Sequence, residues 1–386
     1  MSIGKRLARI GLPRLIINLT VLVVVALWVM PTLGILVSSF RDKDQLAVSG
    51  WWTAFSSAER NEAGRLGDLS AMKQDGNLYV IDGNLLEGKA GTVNAYGVRS
   101  VAPRAYEAGS EANLGDGLKL LVNKDGSYRY SSTSPFTEDN TGRRVYLAVA
   151  TPPVFTLVNY KNVLTGEGIG QSFVNSLTVA IPATVIPILV AAFAAYALSW
   201  MNFRGRTLLL AAVVGLIVVP LQMSLIPLLR LYNEVGTFLG VPSKTYAGIW
   251  LAHTGFGLPL AIYLLRNYIV GLPKEIIESA RVDGAGDFEI FTRIVLPLSF
   301  PALASFAIFQ FLWVWNDLLV AMVFLGTEKD KLVLTGALNA LLGSRGGNWE
   351  ILSASAFVSI LVPILVFFSL QRYLVRGLLA GSVKGG

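Results

Sequence analysis

The chain has 386 residues, of which 53% are hydrophobic and 15% charged, with a mean hydropathy of +0.56, values that point to a polytopic membrane protein rather than a water-soluble domain. It has no cysteine and a single histidine, His253, which excludes disulfides, thiolate chemistry and Cys-ligated metals and argues against multi-His metal sites. Its net charge of +7 is spread along the chain, which suits an anionic membrane and not nucleic acid.

A membrane span needs about 20 mostly apolar residues to cross a hydrocarbon core of ~30 Å. Six stretches qualify: 15–38, 174–199, 207–229, 246–268, 302–326 and 351–371. The first is too long for a signal-peptide core and lacks a small-residue cleavage site, so it reads as a retained helix. Pro31, Pro187, Pro220, Pro259 and Pro363 fall inside these stretches, where membrane helices tolerate proline.

Between the first and second spans, residues 41–160 form a polar block with hairpin signals. Asp125-Gly126 separates two β-prone runs, and Asp75-Gly76 and Asp82-Gly83 flank Leu78 to Ile81. The block predicts a small, mostly β domain. Within it, GNLLEGKA (Gly83 to Ala90) approaches a phosphate-cradling loop. Ala90 stands where the Mg²⁺-binding hydroxyl belongs, so the run reads as a glycine-flanked turn.

Lys and Arg in the short connecting segments set the orientation. The basic segments are the N-terminus (Lys5, Arg6, Arg9, Arg14), the loop after span two (Arg204, Arg206), the loop after span four (Arg266, Lys274, Arg281, Arg293) and the C-terminus (Arg372, Arg376, Lys384). With six spans all four lie on one side. Both termini are therefore expected in the cytoplasm, and 41–173, 230–245 and 327–350 outside it.

The loop after span four, residues 271–301, is the longest expected cytoplasmic connection. Its stretch EIIESARVDGAGDFEIFTRIVLPLSFP carries five carboxylates within the first fifteen residues. Pro273 can open a helix, Glu275 and Glu278 suit its early turns, and Ile276, Ile277 and Ala280 make a small apolar face. Gly284 can end the helix in the left-handed conformation, and Asp287 can cap a second helix from Phe288 to Ile294. Such a unit is too polar for lipid and too short to fold alone. It either docks against a partner or lies solvated on the headgroups.

Here the residues resemble a known family. Glu278-Ser279-Ala280, Asp283-Gly284-Ala285, Phe291, Ile294, Leu296-Pro297 and Pro301 are similar to the EAA loop of binding-protein-dependent ABC importer permeases, with Ser279 in place of the usual alanine. FTLVNYKNVL (155–164), the second span and the ending LQRYLVRGLLAGSVKG (370–385) resemble the MalG-type subunit of sugar importers, and the large insert resembles alpha-glucoside permeases of soil proteobacteria. The expected fold is thus an all-α polytopic membrane protein of six transmembrane helices, of the type I ABC importer permease kind, with a mostly β extracytoplasmic insert. Its expected divisions are 1–40 (N-terminus and first helix), 41–160 (insert) and 161–386 (permease core of five helices).

The resemblance implies a non-catalytic permease subunit for di- or oligosaccharides such as alpha-glucosides, in a bacterial inner membrane with the insert in the periplasm. Implied partners are a second, MalF-like permease subunit, a MalK-like ATPase homodimer and a periplasmic sugar-binding protein. ATP and Mg²⁺ would sit on the ATPase, with no cofactor or metal on this chain. The implied ATPase-coupling residues are Glu278, Ser279, Ala280, Asp283, Gly284, Ala285, Ile294, Leu296 and Pro297. The loop 331–350, with a helix from Thr335 to Leu342 and glycines Gly343, Gly346 and Gly347, would either contact the binding protein as a finger or form an ordinary loop.

Span five carries Asp317, a carboxylate well inside an apolar stretch, which is by default functional or paired. Trp313, Asn316 and Asp317 are candidates for a substrate path, Asn316 as a bond to sugar hydroxyls and Trp313 or Trp315 as a stacking surface. Asp317 alternatively pairs with a neighbouring helix near the outer end. His253 reads as a hydrogen-bonded packing residue rather than a proton carrier. Two other readings stay open. One is the same architecture serving another solute. The other is a membrane-anchored enzyme whose insert is catalytic, although its acids Glu107, Glu111 and Asp116 have no histidine or cysteine beside them.

Overall fold

A computed structural model describes residues 12–166, 168–344 and 348–379. The chain divides into two compact units, Met1–Asn159 with Asn348–Ser353, and Tyr160–Gly347 with Ala354–Gly386.

The first unit starts with α1 (Leu12–Ser39), a helix whose apolar side chains are almost all exposed within this chain, as a lipid-facing helix requires. A short helix α2 (Lys43–Val48) follows, capped by Asp42 through the Asp44 N–H. Arg41 between them is fully buried and makes no ion pair among the described residues. Its guanidinium instead donates to the carbonyls of Gln45, Ser49 and Gly50 at 2.9–3.2 Å. Asn159, in the first turn of the helix Val158–Thr165, closes the neck by donating to the carbonyls of Ser39 and Arg41, both at 2.9 Å.

Beyond this neck the chain forms two antiparallel sheets. One has the order β1-β9-β4-β5, from Ala58–Arg65, Arg144–Thr151, Thr92–Gly97 and Tyr106–Glu107. The other has the order β2-β3-β8-β7-β6, from Lys73–Asp75, Leu78–Asn84, Ser127–Ser132, Leu118–Val122 and Glu111–Gly115. Alternation places Val145, Leu147 and Val149 of β9 inward, where they join Ile81, Leu120, Val122 and Tyr130 in one core. Tyr96 is fully buried there and its hydroxyl donates to the carbonyls of Ser110 (2.6 Å) and Leu120 (2.7 Å).

Two of the three expected turns form. Gly76 (φ +62°) turns β2 into β3, and Gly126 (φ +83°) turns β7 into β8. Asp82-Gly83 instead lies inside β3, paired with Arg129 and Tyr128 of β8. Gly83 serves close packing there, because a Cβ would fall 2.8 Å from the Tyr128 ring. The phosphate-loop look-alike is a turn with positive φ at Glu87 and Gly88. Its Leu85 and Leu86 belong to the core, and Lys89 lies 3.5 Å from Glu62.

The second unit is helical. After α3 (Val158–Thr165) come α4 (Ile169–Trp200), α5 (Arg206–Ile217), α6 (Leu221–Leu239) and α7 (Tyr246–Val270). The charged loop holds α8 (Lys274–Val282) and α9 (Asp287–Leu298), the latter with a π turn at Phe291–Val295. Then follow α10 (Phe300–Asn316), α11 (Leu319–Phe324), α12 (Leu334–Ser344) and α13 (Trp349–Leu379). Ala191, Ala192 and Ala195 of α4 pack closely on Ala261, Ile262 and Leu265 of α7, the small residues letting the two backbones approach.

Among the described residues, four helices (α1, α4, α7 and α13) are unbroken and long enough to span, and the count reaches six with two bent pairs. The stretch expected as a single span at 207–229 is broken. α5 and α6 meet at 106° around Val218–Pro220, and Pro220, which has no N–H to donate, caps the second helix. Residues 230–239, expected in an outer loop, are the last turns of α6. The stretch 302–326 is also interrupted. α10 ends at Asn316, Asp317 is extended, and α9 meets α10 at 69°.

Candidate functional site

The charged loop is built outward from the end of the α4–α7 pair. Ile277 of α8 and Ile290, Phe291 and Val295 of α9 are buried among Ala195, Tyr196, Ile269 and Phe306. This face anchors both short helices. Arg281 donates to the Trp200 carbonyl (3.1 Å) and pairs with Asp287 (3.2 Å), which also accepts from the Tyr196 hydroxyl (3.0 Å). Asp287 therefore does not cap α9, as expected; it is the first helical residue, after Gly286, and its carboxylate is drawn to the α4 end instead.

Gly284 ends α8 at φ +86°, with its N–H on the Arg281 carbonyl (3.1 Å) and the Ala285 N–H on the Ala280 carbonyl (3.0 Å). The nine residues singled out in the sequence divide by exposure. Glu278, Ser279, Asp283, Gly284 and Pro297 are exposed, while Ala280, Ala285, Ile294 and Leu296 are half-buried. Ala280, Ala285 and Leu296 pack on the buried cluster. Glu278 makes no ion pair among the described residues.

The same outer surface carries two apolar residues that sequence reasoning missed. Val282 is 88% exposed and Phe288 is 70% exposed, one on each side of the glycine turn. Large apolar side chains beside a glycine in a loop already kept out of lipid were the available signal. Protruding apolar side chains on an otherwise charged surface are a common feature of protein–protein contact faces.

The substrate-path candidates do not come together. Trp313 lines a cavity of about 880 Å³ at the α5–α6 bend, with Gln310, Ser224 and the Gly255–Leu260 stretch of α7. Gln310 is buried, donates to the Ala183 carbonyl at 3.1 Å and fills the space over Gly257. Asn316 is turned back on its own helix, donating to the Leu312 carbonyl at 2.7 Å. Asp317 accepts from the Val320 N–H at 2.9 Å and so caps the helix after it rather than pairing with a neighbouring span. His253 packs edge-on to Trp313 at 5.7 Å, and neither ring nitrogen has a hydrogen-bond partner among the described residues, unlike the bonded role expected of it.

In the outer-loop candidate, α12 forms over Leu334–Ser344 and is seated on α4 by Ser176, which accepts from the Leu334 N–H at 2.7 Å. Gly343 is the penultimate residue of that helix rather than part of a loop. Gly346 and Gly347 lie outside the described residues.

Helices long and apolar enough to span a bilayer, with a pair of short charged helices packed at the end of α4 and α7, are features of a membrane component of a transporter. The model of the family described as "Binding-protein-dependent transport system inner membrane component" matches residues 140–379, and the chain belongs to that family. It is a permease subunit of an ABC importer. The alpha-glucoside transport system permease protein AglG of Rhizobium meliloti is 66% identical over 370 residues, covering 96% of this chain and 97% of that protein. The osmoprotective compounds uptake permease protein GgtD of Synechocystis is 60% identical over 230 residues, covering 60% of this chain and 76% of that one. A permease chain from the crystal structure of a bacterial ABC transporter for alginate import is 24% identical, with a TM-score of 0.48, and covers 58% of this chain and 81% of its own.

Proposed function

We propose that this chain is the MalG-type permease subunit of an ATP-driven importer of alpha-glucosides such as maltose, trehalose or sucrose. The observation that carries the reading is the 66% identity to an alpha-glucoside permease over nearly the whole of both chains, insert included. The chain would work with a second, MalF-like permease subunit, a MalK-like ATPase homodimer holding ATP and Mg²⁺, and a periplasmic sugar-binding protein. Both termini and the charged loop would face the cytoplasm, as the basic segments favour, with the insert in the periplasm. Uptake of labelled maltose, trehalose and sucrose in a strain deleted for this subunit should fail and return on complementation. Unchanged uptake of all three after deletion refutes the substrate.

In this reading the charged loop is the lever on which the closing ATPase pulls. Val282 and Phe288 would enter an apolar cleft, Glu278 would meet a basic residue of the ATPase, and the buried face would carry the movement to α4 and α7. Gly284 is needed for its backbone and not for space, because nothing lies within 4 Å of its Cβ position. A β-branched residue in the left-handed region costs roughly 1–2 kcal/mol. Gly284→Val should therefore abolish uptake while the protein still inserts in the membrane, and normal uptake in that variant rules out the lever.

A second reading keeps the architecture and changes the cargo. It draws on the 60% identity, over 230 residues, to a permease for osmoprotective compounds. Complementation that restores osmoprotectant uptake and no disaccharide uptake would favour it.

A further inference from the structure

The β insert holds an open cleft of about 870 Å³ where the edge strands of its two sheets come together, β5 in one and β6 in the other. Every charged residue lining it is an arginine: Arg99, Arg143 and Arg144. Arg144 and Tyr146 are two apart on the outward face of β9, Tyr106 comes from β5, and Asn113 from β6.

Three other arginines of the insert are compensated by carboxylates. Arg60, Arg104 and Arg129 each pair with a carboxylate, on Asp44 and Glu62, on Glu59, and on Asp75 respectively. Arg99, Arg143 and Arg144 make no ion pair among the described residues. Register adds to the excess charge, because Arg65 of β1 stands directly opposite Arg144. Like charges in that position repel across the ladder. The cleft is also held in shape: Gly97 lets the loop carrying Arg99 fold back so tightly that a Cβ there would fall 2.0 Å from the Ala102 carbonyl. Concentrated, uncompensated guanidinium groups match the forked oxygens of carboxylate or phosphate.

The cleft is far larger than a bare inorganic anion and lies in the size range of small-molecule sites. The half-buried rings of Tyr106 and Tyr146 offer flat faces, and the Asn113 amide can both donate and accept. We propose that this cleft binds a saccharide bearing a carboxylate or phosphate group, with the arginines on the anion and the tyrosines and Asn113 on the sugar ring.

The test is calorimetric titration of the full-length chain in lipid nanodiscs with glucuronate, glucose 6-phosphate, glucose, inorganic phosphate and hexaglutamate. Glucuronate and glucose 6-phosphate should bind saturably, more weakly at high salt, and glucose should not. Arg143→Ala and Arg144→Ala should each weaken that binding about tenfold, while Arg129→Ala, in the same domain and away from the cleft, should leave it unchanged. The proposal is overturned if neither anionic sugar binds, or if both cleft variants bind as the parent does. It is equally overturned if inorganic phosphate binds as tightly as glucose 6-phosphate, which would leave the sugar no role. Binding of hexaglutamate alone would overturn it in favour of an acidic protein segment.

Discussion

Tyr96 is where a single side chain joins the two sheets of the insert. It is fully buried and donates to carbonyls on both sides of the β6–β7 hairpin. Burial pushes its phenol up to about 12, against an ordinary value of about 10. Below pH ~10 both folded and unfolded chains hold that proton, so its contribution is fully present. Between about 10 and 12 the unfolded chain ionises while the folded one does not, and the insert loses stability as pH rises. Burial raises Tyr130 as well and adds to the same window. Thermal unfolding followed from neutral to alkaline pH should show this loss, and Tyr96→Phe should reduce it. At neutral pH that variant should be ~1–3 kcal/mol less stable because the hydroxyl proton shared by the Ser110 carbonyl and the buried Leu120 carbonyl is lost. An identical alkaline profile in both proteins would show that Tyr96 is not responsible.

Residue type alone did not reveal such roles. Asp82-Gly83 and Asp125-Gly126 are the same dipeptide, yet one is strand and the other turn. The ring of Tyr128, about forty-five positions from Gly83, makes the difference, and no local pattern carries it. Arg41 is similar: a cation next to a membrane helix reads as solvated, and its burial depends on carbonyls that only the folded neck brings round it.

For the elements, hydropathy located the four long apolar helices that run unbroken among the described residues, and the helix-glycine-helix pattern of the charged loop was legible down to the left-handed Gly284. The bends were not. Pro31, Pro187, Pro259 and Pro363 lie inside unbroken helices, whereas at Pro220 the chain turns by 106°. Proline permits a break, and the packing of neighbouring helices decides whether it occurs. Packing also decides which face of the charged loop is anchored. Ile290 has no exposed surface and joins α9 to α4. Ile290→Ala should cost roughly 2–5 kcal/mol of local packing and lower both the melting temperature of the purified protein and its uptake. A variant with full uptake and an unchanged melting temperature would mean that α9 is held by other contacts.

On the scale of the whole molecule, the insert is a domain entered and left at one place. Ala58 and Thr151 are paired partners in β1 and β9, so their backbones lie within a strand spacing of ~5 Å. Replacing 58–151 with a two-residue turn should therefore leave the helical unit able to insert in the membrane and to co-purify with its ATPase. Loss of the protein from membranes in that variant would show that the insert is needed for folding of the remainder. A change of composition near residues 41 and 160 was visible in the sequence. The pairing of the first and last strands was not, because strand order depends on contacts across the full length of the insert.

That pairing also governs how the protein can be made. β9 lies between β1 and β4 in its sheet, and its partner residues in β1 precede it by 93 positions at the closing end. Contacts so far apart in sequence form late. The first sheet cannot assemble until nearly all of the insert has left the ribosome. During that interval the emerging polypeptide presents unpaired strand edges. Biogenesis of this permease therefore includes a stage in which α1 is already available for the bilayer while a hundred-residue segment still awaits its last strand, and chaperones have their opportunity at that stage.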